Sequence, residues 1–107
     1  MLNRFIENYF LELPIKLKIY LKQEWTHNEM RNYLWKIIDE WNQIPDADKQ
    51  VPISSKEQMI WFVVWNIIHI ADEEHWNDGI TGNEIKNCID FLEMKQEFPK
   101  DYLARRP

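Results

Sequence analysis

The sequence predicts an all-α fold, a bundle of four to five helices that forms a single domain over residues 1–107. Three observations predict it. Apolar residues recur at steps of three and four along most of the chain, which is the spacing of one helix face. Three segments have the form of a capping box, in which a Ser or Thr stands three residues before a Glu at a helix start. One short stretch has strand spacing, but no second strand is present to pair with it.

The first helix is expected over residues 3–13, and Pro14 is expected to end or kink it because proline removes a backbone hydrogen bond. Residues 15–22 then alternate apolar residues with Lys, which is the spacing of a strand. Since they have no second strand to pair with, we interpret them as further helix beyond a kink at Pro14. The apolar face of the first helix contains Leu2, Phe5, Ile6, Tyr9, Phe10 and Leu13.

The second helix is expected over residues 28–42, after a capping box that begins at Thr26. An acidic loop, residues 43–53, follows it. Another capping box, beginning at Ser54, starts a third helix over residues 55–76. The centre of this third helix is apolar on every face, so we expect it to be the central, buried helix of the bundle. The inner stripe of the second helix contains Met30, Leu34, Ile37 and Trp41, widened by Tyr33 and Ile38.

The fourth helix is expected over residues 83–97, after a capping box that begins at Thr81. Pro99 stops it, because the residue before a proline disfavours the helical conformation. The remaining residues, 98–107, form a short basic tail that we expect to fray. The inward positions of the fourth helix are Ile85, Cys88, Ile89 and Leu92, with Met94 and Phe98 as further candidates.

Composition excludes several classes of protein. A single cysteine, Cys88, rules out a disulfide scaffold. Nucleic-acid binding is not expected at a net charge of −5, because it requires a basic surface. No stretch has the pattern of a signal peptide, and the longest apolar stretch, residues 59–71, is shorter than the roughly 20 residues that span a bilayer. We therefore expect a cytoplasmic protein that binds no membrane.

Acidic charge concentrates in the second half of the chain, where residues 66–97 contain eight acidic and two basic residues. Such a patch steers a basic partner and speeds its association. The alternative is that these residues simply solvate a helix face. The candidate partner-binding acids are Asp72, Glu73, Glu74, Asp78 and Glu84, joined by Asp46 and Asp48 from the loop before the third helix.

Six tryptophans are many for a chain of 107 residues. Trp41, Trp61 and Trp65 occupy apolar positions and are most simply core residues, whose indole N–H groups each need an acceptor. Trp35 points away from the apolar stripe of the second helix, and Trp76 lies at the end of the third helix beside the acidic cluster. Exposed aromatics beside charge are typical of binding hot spots. Trp35 and Trp76 are therefore candidate partner-binding residues, with core filling as the alternative.

No constellation in the sequence indicates catalysis. Cys88 falls on an inward stripe, and the chain has no glycine-rich phosphate loop. The acid-x-x-His step of di-metal carboxylate bundles occurs at Glu24 and His27 and, with Asp in place of Glu, at Asp72 and His75. The simpler alternative is an ordinary solvated helix end. We therefore expect no catalytic residue, no metal and no cofactor.

In its size, its acidic charge and its aromatics beside clustered carboxylates, the chain resembles the small acidic helical immunity proteins that bacteria make against their own nuclease toxins. The resemblance implies a monomeric, non-enzymatic inhibitor that binds a basic toxin domain and occludes its active or substrate-binding surface. Two alternatives remain open. One is a non-catalytic adaptor or self-associating assembly subunit that uses the apolar face of the first helix. The other is a small di-metal carboxylate protein that uses Glu24, His27, Asp72 and His75.

Overall fold

A computed structural model describes residues 1–74, 79–99 and 103–107, and these residues form an all-helical bundle without a strand. The described residues contain four α-helices and one short 3-10 helix. In chain order they are α1 (Leu2–Leu21), α2 (His27–Gln43), the 3-10 helix (Asp46–Lys49), α3 (Ser55–Glu73) and α4 (Gly79–Leu92). The predicted all-α class is therefore confirmed.

Helix α1 contains Pro14 and extends to Leu21, so the interpretation of the Lys-rich stretch as helix is confirmed. A proline inside a helix costs about 3 kcal/mol. Burial compensates for this cost, because the inner stripe runs from Leu13, just before the proline, to Leu17 and Tyr20 beyond it, and all three are fully buried. The kink at Pro14 stays a prediction.

The predicted capping box at Thr26 is present at the start of α2. The Glu29 backbone N–H donates to the Thr26 hydroxyl over 3.1 Å, and the Thr26 backbone N–H donates back to the Glu29 carboxylate over 3.1 Å. The preceding helix ends in a Schellman motif, in which Gln23 has a φ of 61° and the Gln23 and Glu24 N–H groups donate to Tyr20 and Ile19. Local hydrogen bonds thus fix the turn between α1 and α2.

The capping box predicted at Thr81 is wrong, because α4 begins at Gly79 and Thr81 is buried inside its first turn. The helix also ends earlier than residue 97. Met94 adopts a φ of 61°, and the Met94 and Lys95 N–H groups donate to Phe91 and Asp90, which is again a Schellman end. The third helix is shorter than predicted as well, since α3 ends at Glu73.

The core is built around Trp61, which is fully buried on α3. Its ring centroid lies 5.2 Å from that of Trp41 on α2 and 5.9 Å from that of Phe5 on α1. Three helices therefore meet at one aromatic centre. Helices α1 and α3 each pack against the other three helices. The prediction that α3 alone is central stays a prediction, since α1 makes the same set of helix contacts.

The thiol of Cys88 packs into the core on α4, as its place on the inward stripe predicts. Burial, with a smaller contribution from the charge of Glu84, raises the pKa of Cys88 to about 12. The thiolate is the reactive form, so we expect a disulfide reagent such as DTNB to leave the native chain unmodified at pH 8 and to label it fully in denaturant. A native labelling rate equal to that of the unfolded chain would contradict this.

Candidate partner-binding surface

The last turn of α3 presents three acidic side chains to solvent. The chain passes from the buried Ala71 directly to Asp72, Glu73 and Glu74. More than half of each acidic side chain is exposed, at 57%, 52% and 61% respectively. Glu74 has a left-handed backbone with a φ of 55°, which ends the helix. The sequence therefore places a compact group of carboxylates at one end of the bundle.

Arg31 reaches this group from α2. Its Nε lies 3.1 Å from Asp72 Oδ1, and one terminal nitrogen donates to Glu74 Oε1 over 3.1 Å and to the Ala71 carbonyl over 2.9 Å. A cation at a helix C-terminus is favourable because it complements the helix dipole and the free carbonyls. The guanidinium therefore contacts two carboxylates and neutralises part of their charge.

The third carboxylate has a different partner. Glu73 Oε1 lies 3.0 Å from Nε2 of His69, one turn earlier on α3. Sequence spacing predicts this contact, since the two residues are four apart on a helix. The role of Arg31 was missed, and only the general preference for a cation near a helix C-terminus could have indicated it.

Trp35 lies one turn after Arg31 on α2, and 48% of it is exposed. Helices α2 and α3 run antiparallel, because Arg31 contacts the end of α3 while Trp41 contacts Trp61 near its beginning. Trp35, four residues after Arg31, therefore follows on the same part of α2 the residue that contacts the end of α3. The exposed outer stripe of α2, spaced by three and four residues, contains Asn28, Asn32, Trp35, Asp39 and Asn42. We use the term α2–α3 surface for Trp35, Asp39, Asp72, Glu73 and Glu74, with Arg31 between the helices.

The structure does not bring all of the predicted residues together. Asp46 and Asp48 are exposed in the 3-10 helix, close to the start of α3, whereas Asp72 stands at its end. The 15 positions that separate Glu57 from Asp72 along α3 correspond to roughly 22 Å. Glu84 is exposed on α4. The remaining two predicted residues, Trp76 and Asp78, lie outside the described residues.

A second polar cluster was missed by the sequence analysis. Glu57, in the first turn of α3, is only 1% exposed. Arg106 makes two parallel hydrogen bonds to it, with Nε 2.7 Å from Oε2 and a terminal nitrogen 2.8 Å from Oε1. Trp61 Nε1 also donates to Oε2 over 2.9 Å. A buried carboxylate requires this pairing, because an uncompensated charge is costly to desolvate.

The predicted capping box at Ser54 is consequently only half formed. The Glu57 backbone N–H donates to the Ser54 hydroxyl over 3.2 Å, while the Glu57 side chain turns inward to Trp61 and Arg106. The sequence did hold one signal for this arrangement. The indole of Trp61 needs a hydrogen-bond acceptor, and Glu57 lies four residues before it on the same helix.

The chain end differs from the frayed tail that the sequence predicts, because residues 103–107 pack against the bundle. The Ala104 N–H donates to the Gln58 side-chain oxygen over 2.6 Å, and the Trp65 indole donates to the Arg105 carbonyl over 2.7 Å. The Arg106 guanidinium stacks 5.2 Å from the Trp41 ring centroid. Its hydrogen bonds to Glu57 raise the pKa of Arg106 further above its ordinary value.

The chemistry of the described residues gives little basis for a metal centre. Among them, no group of three or more His, Cys, Asp or Glu side chains could hold a metal ion. His27 Nδ1 lies 2.8 Å from the Tyr20 hydroxyl, and His75 is outside the described residues.

In a groove between α1 and α2, Tyr9 donates a hydrogen bond to Glu40. Burial and this bond raise the pKa of Tyr9, so its hydroxyl stays protonated.

Comparison with known proteins gives no match: no family model fits the chain, and no curated protein or solved structure is similar enough to count as a relative. Of the helices in the described part of the chain, none combines the length and the apolar character needed to cross a membrane.

Proposed function

We propose that this chain is a small, non-catalytic inhibitor of the immunity or antitoxin type, which binds a basic protein partner through the α2–α3 surface. The observation that carries the proposal is a half-exposed tryptophan one turn after Arg31, whose guanidinium contacts two of the three exposed carboxylates at the end of α3. Charge at such a surface speeds encounter, and an aromatic anchor slows dissociation. In this proposal the chain acts in the cytoplasm as a monomer and needs no cofactor.

The contacts of Arg31 support a role in recognition as well as in stability. Two of the carboxylates lie within 3.1 Å of its guanidinium, which restricts their conformations before a partner arrives. A partner that meets ordered side chains loses less conformational entropy on binding. Arg31 also leaves a net negative charge, because it stands against Asp72, Glu73 and Glu74. The surface is therefore preorganised and still attracts a cation-rich partner.

A nuclease-like toxin is the class of partner that fits this surface. Enzymes that act on nucleic acids hold the phosphates of their substrates with Lys and Arg side chains. In our proposal the carboxylates of the α2–α3 surface bind to that basic surface at the positions of the phosphates. They thereby exclude the substrate. We propose that inhibition works by this occlusion, at one inhibitor per toxin domain.

The proposal is tested by capturing a basic partner on the tagged chain and measuring binding for three variants. Trp35→Ala is expected to weaken binding by about 2 kcal/mol, roughly thirtyfold in Kd, chiefly through faster dissociation. Glu73→Gln is expected to slow association several-fold and to reduce its salt dependence. The matched control is Glu7→Gln, at an exposed position on α1, which is expected to leave binding unchanged.

The inhibitory activity is tested on the captured partner directly. The partner alone is expected to cleave nucleic acid, and an equimolar amount of the chain is expected to stop it. A partner that binds Trp35→Ala and Glu73→Gln as tightly as the unmodified chain would contradict the site. A partner whose activity is unaffected by the chain would contradict the inhibitor role.

A second candidate function, self-association, is favoured by one observation. The wide apolar stripe of α1 that the sequence offered for this purpose is buried in the core. Two other apolar residues one turn apart on α1, Leu11 and Ile15, are instead 73% and 58% exposed. A dimer in sedimentation that Leu11→Glu dissociates would favour this candidate over the inhibitor.

A further inference from the structure

Residues 103–107 lie in a groove that recognises one arginine and the neighbouring main chain. The groove is formed by Trp41, the Lys49 carbonyl, Glu57, Gln58 and Trp65, and we refer to it as the arginine groove. It contacts the chain end at Ala104, Arg105 and Arg106. Leu103 is 80% exposed, and the Arg105 side chain is also exposed. The groove therefore holds the segment through the Arg106 guanidinium, the buried Ala104 and the main chain of Ala104 and Arg105.

The groove is matched to a guanidinium rather than to any cation. Both oxygens of Glu57 accept hydrogen bonds from it, at 2.7 and 2.8 Å. The other terminal nitrogen of the guanidinium donates to the Lys49 carbonyl over 2.9 Å. Its Cζ atom lies over the Trp41 ring, 5.2 Å from the centroid. A planar fork satisfies these partners together, whereas an ammonium group is a point charge that cannot make the paired contact.

We propose that the arginine groove binds an arginine-bearing segment of a partner protein, in competition with the chain's own residues 103–107. Two observations make exchange physically reasonable. Ala104 is the segment's buried apolar side chain, and it is small, so an incoming segment needs to replace only one small apolar contact there. Glu57 is buried where it pairs with Arg106 and needs a guanidinium in place, which an incoming arginine supplies. The groove stands at the opposite end of α3 from the acidic group, so this proposal does not depend on the proposed function.

The chain's own segment sets the strength of the competition. A tethered segment acts as a ligand at high effective concentration. The apparent affinity for an external segment is reduced, because only molecules whose groove is not filled by residues 103–107 can bind it. Removing the Arg106 guanidinium should therefore increase the affinity for an external arginine segment, provided that the rest of the groove keeps its shape.

The experiment uses the full chain and a fluorescent peptide with the sequence of residues 103–107, followed by fluorescence anisotropy. The unmodified chain is expected to bind it weakly but saturably, and Arg106→Ala to bind it roughly tenfold or more tightly. Two matched peptides define recognition. The peptide with Arg106→Lys is expected to bind roughly tenfold more weakly, and the peptide with Arg105→Lys to bind about as well as the parent.

The outcomes separate the proposal from a purely structural role. If Arg106→Ala is unfolded by circular dichroism, adding the parent peptide is expected to restore the helical signal, and the Arg106→Lys peptide is not. Absence of saturable binding to the folded variant, or of refolding by the peptide, would overturn the proposal. Equal affinity for the parent and Arg106→Lys peptides would overturn the guanidinium specificity. Equal affinity of the unmodified chain and Arg106→Ala for the parent peptide would overturn the competition, and binding by the variant alone would overturn exchange in the unmodified chain.

Discussion

Replacing Trp61 with alanine is expected to reduce the free energy of unfolding by about 3–5 kcal/mol, the range for removing a fully buried large aromatic side chain. Among the described residues Trp61 is the largest that is fully buried, and its ring contacts Phe5, Trp41 and Trp65. Truncation leaves a cavity where three helices meet. It also removes one hydrogen-bond donor from Glu57.

Urea denaturation measures this effect, with Trp35→Ala as the matched control. Both variants lose one indole, but Trp35 is half exposed on α2. The control is expected to change the free energy of unfolding by less than about 1 kcal/mol. Similar losses for the two variants would show that Trp61 does not centre the core.

The second large effect is expected at Glu57. Its replacement by alanine leaves Arg106 without its carboxylate and the Trp61 indole without an acceptor, so we expect a loss of about 3 kcal/mol. Glu57→Gln keeps an acceptor for the Trp61 indole, so it is expected to lower the free energy of unfolding by less than the alanine variant does. The control is Glu84→Ala at an exposed position of α4, with an expected change within about 0.5 kcal/mol.

A double variant distinguishes the pair from the packing around it. Replacing Glu57 and Arg106 together with methionine removes both charges at once. Because breaking a buried ion pair is far more costly than replacing both partners, the double variant is expected to be more stable than Glu57→Ala. A Glu57→Ala variant no less stable than Glu84→Ala would contradict the structural role of the pair.

Apolar periodicity was sufficient to predict the helices but not all of their ends. The continuation of α1 beyond Pro14 was predicted from the lack of a second strand, and the burial of Leu13 and Leu17 on either side of the proline explains it. The start of α4 was misplaced. A Thr three residues before a Glu fits a capping box, yet Thr81 is buried inside the helix. Such a motif shows only that the local sequence is compatible with a helix start, whereas tertiary packing decides where the helix begins.

The candidate site was predictable where it depends on one helix and missed where two distant segments meet. The exposed acids at Asp72 and Glu73 follow from the end of the apolar run on α3. Arg31 could not be assigned to them, because the pairing depends on the antiparallel packing of α2 and α3. The pairing of Glu57 with Arg106 has the same cause, since no local pattern joins them.

That last pairing also bears on the lifetime of the folded chain. It joins residues 49 apart in the sequence, whereas the turns of each helix join near neighbours. Distant contacts close large loops, whose entropy must be lost first, so we expect this one to form after the folding transition state. Contacts formed that late act mainly on the rate of unfolding. The C-terminal segment is therefore expected to prolong the native state rather than to hasten its formation.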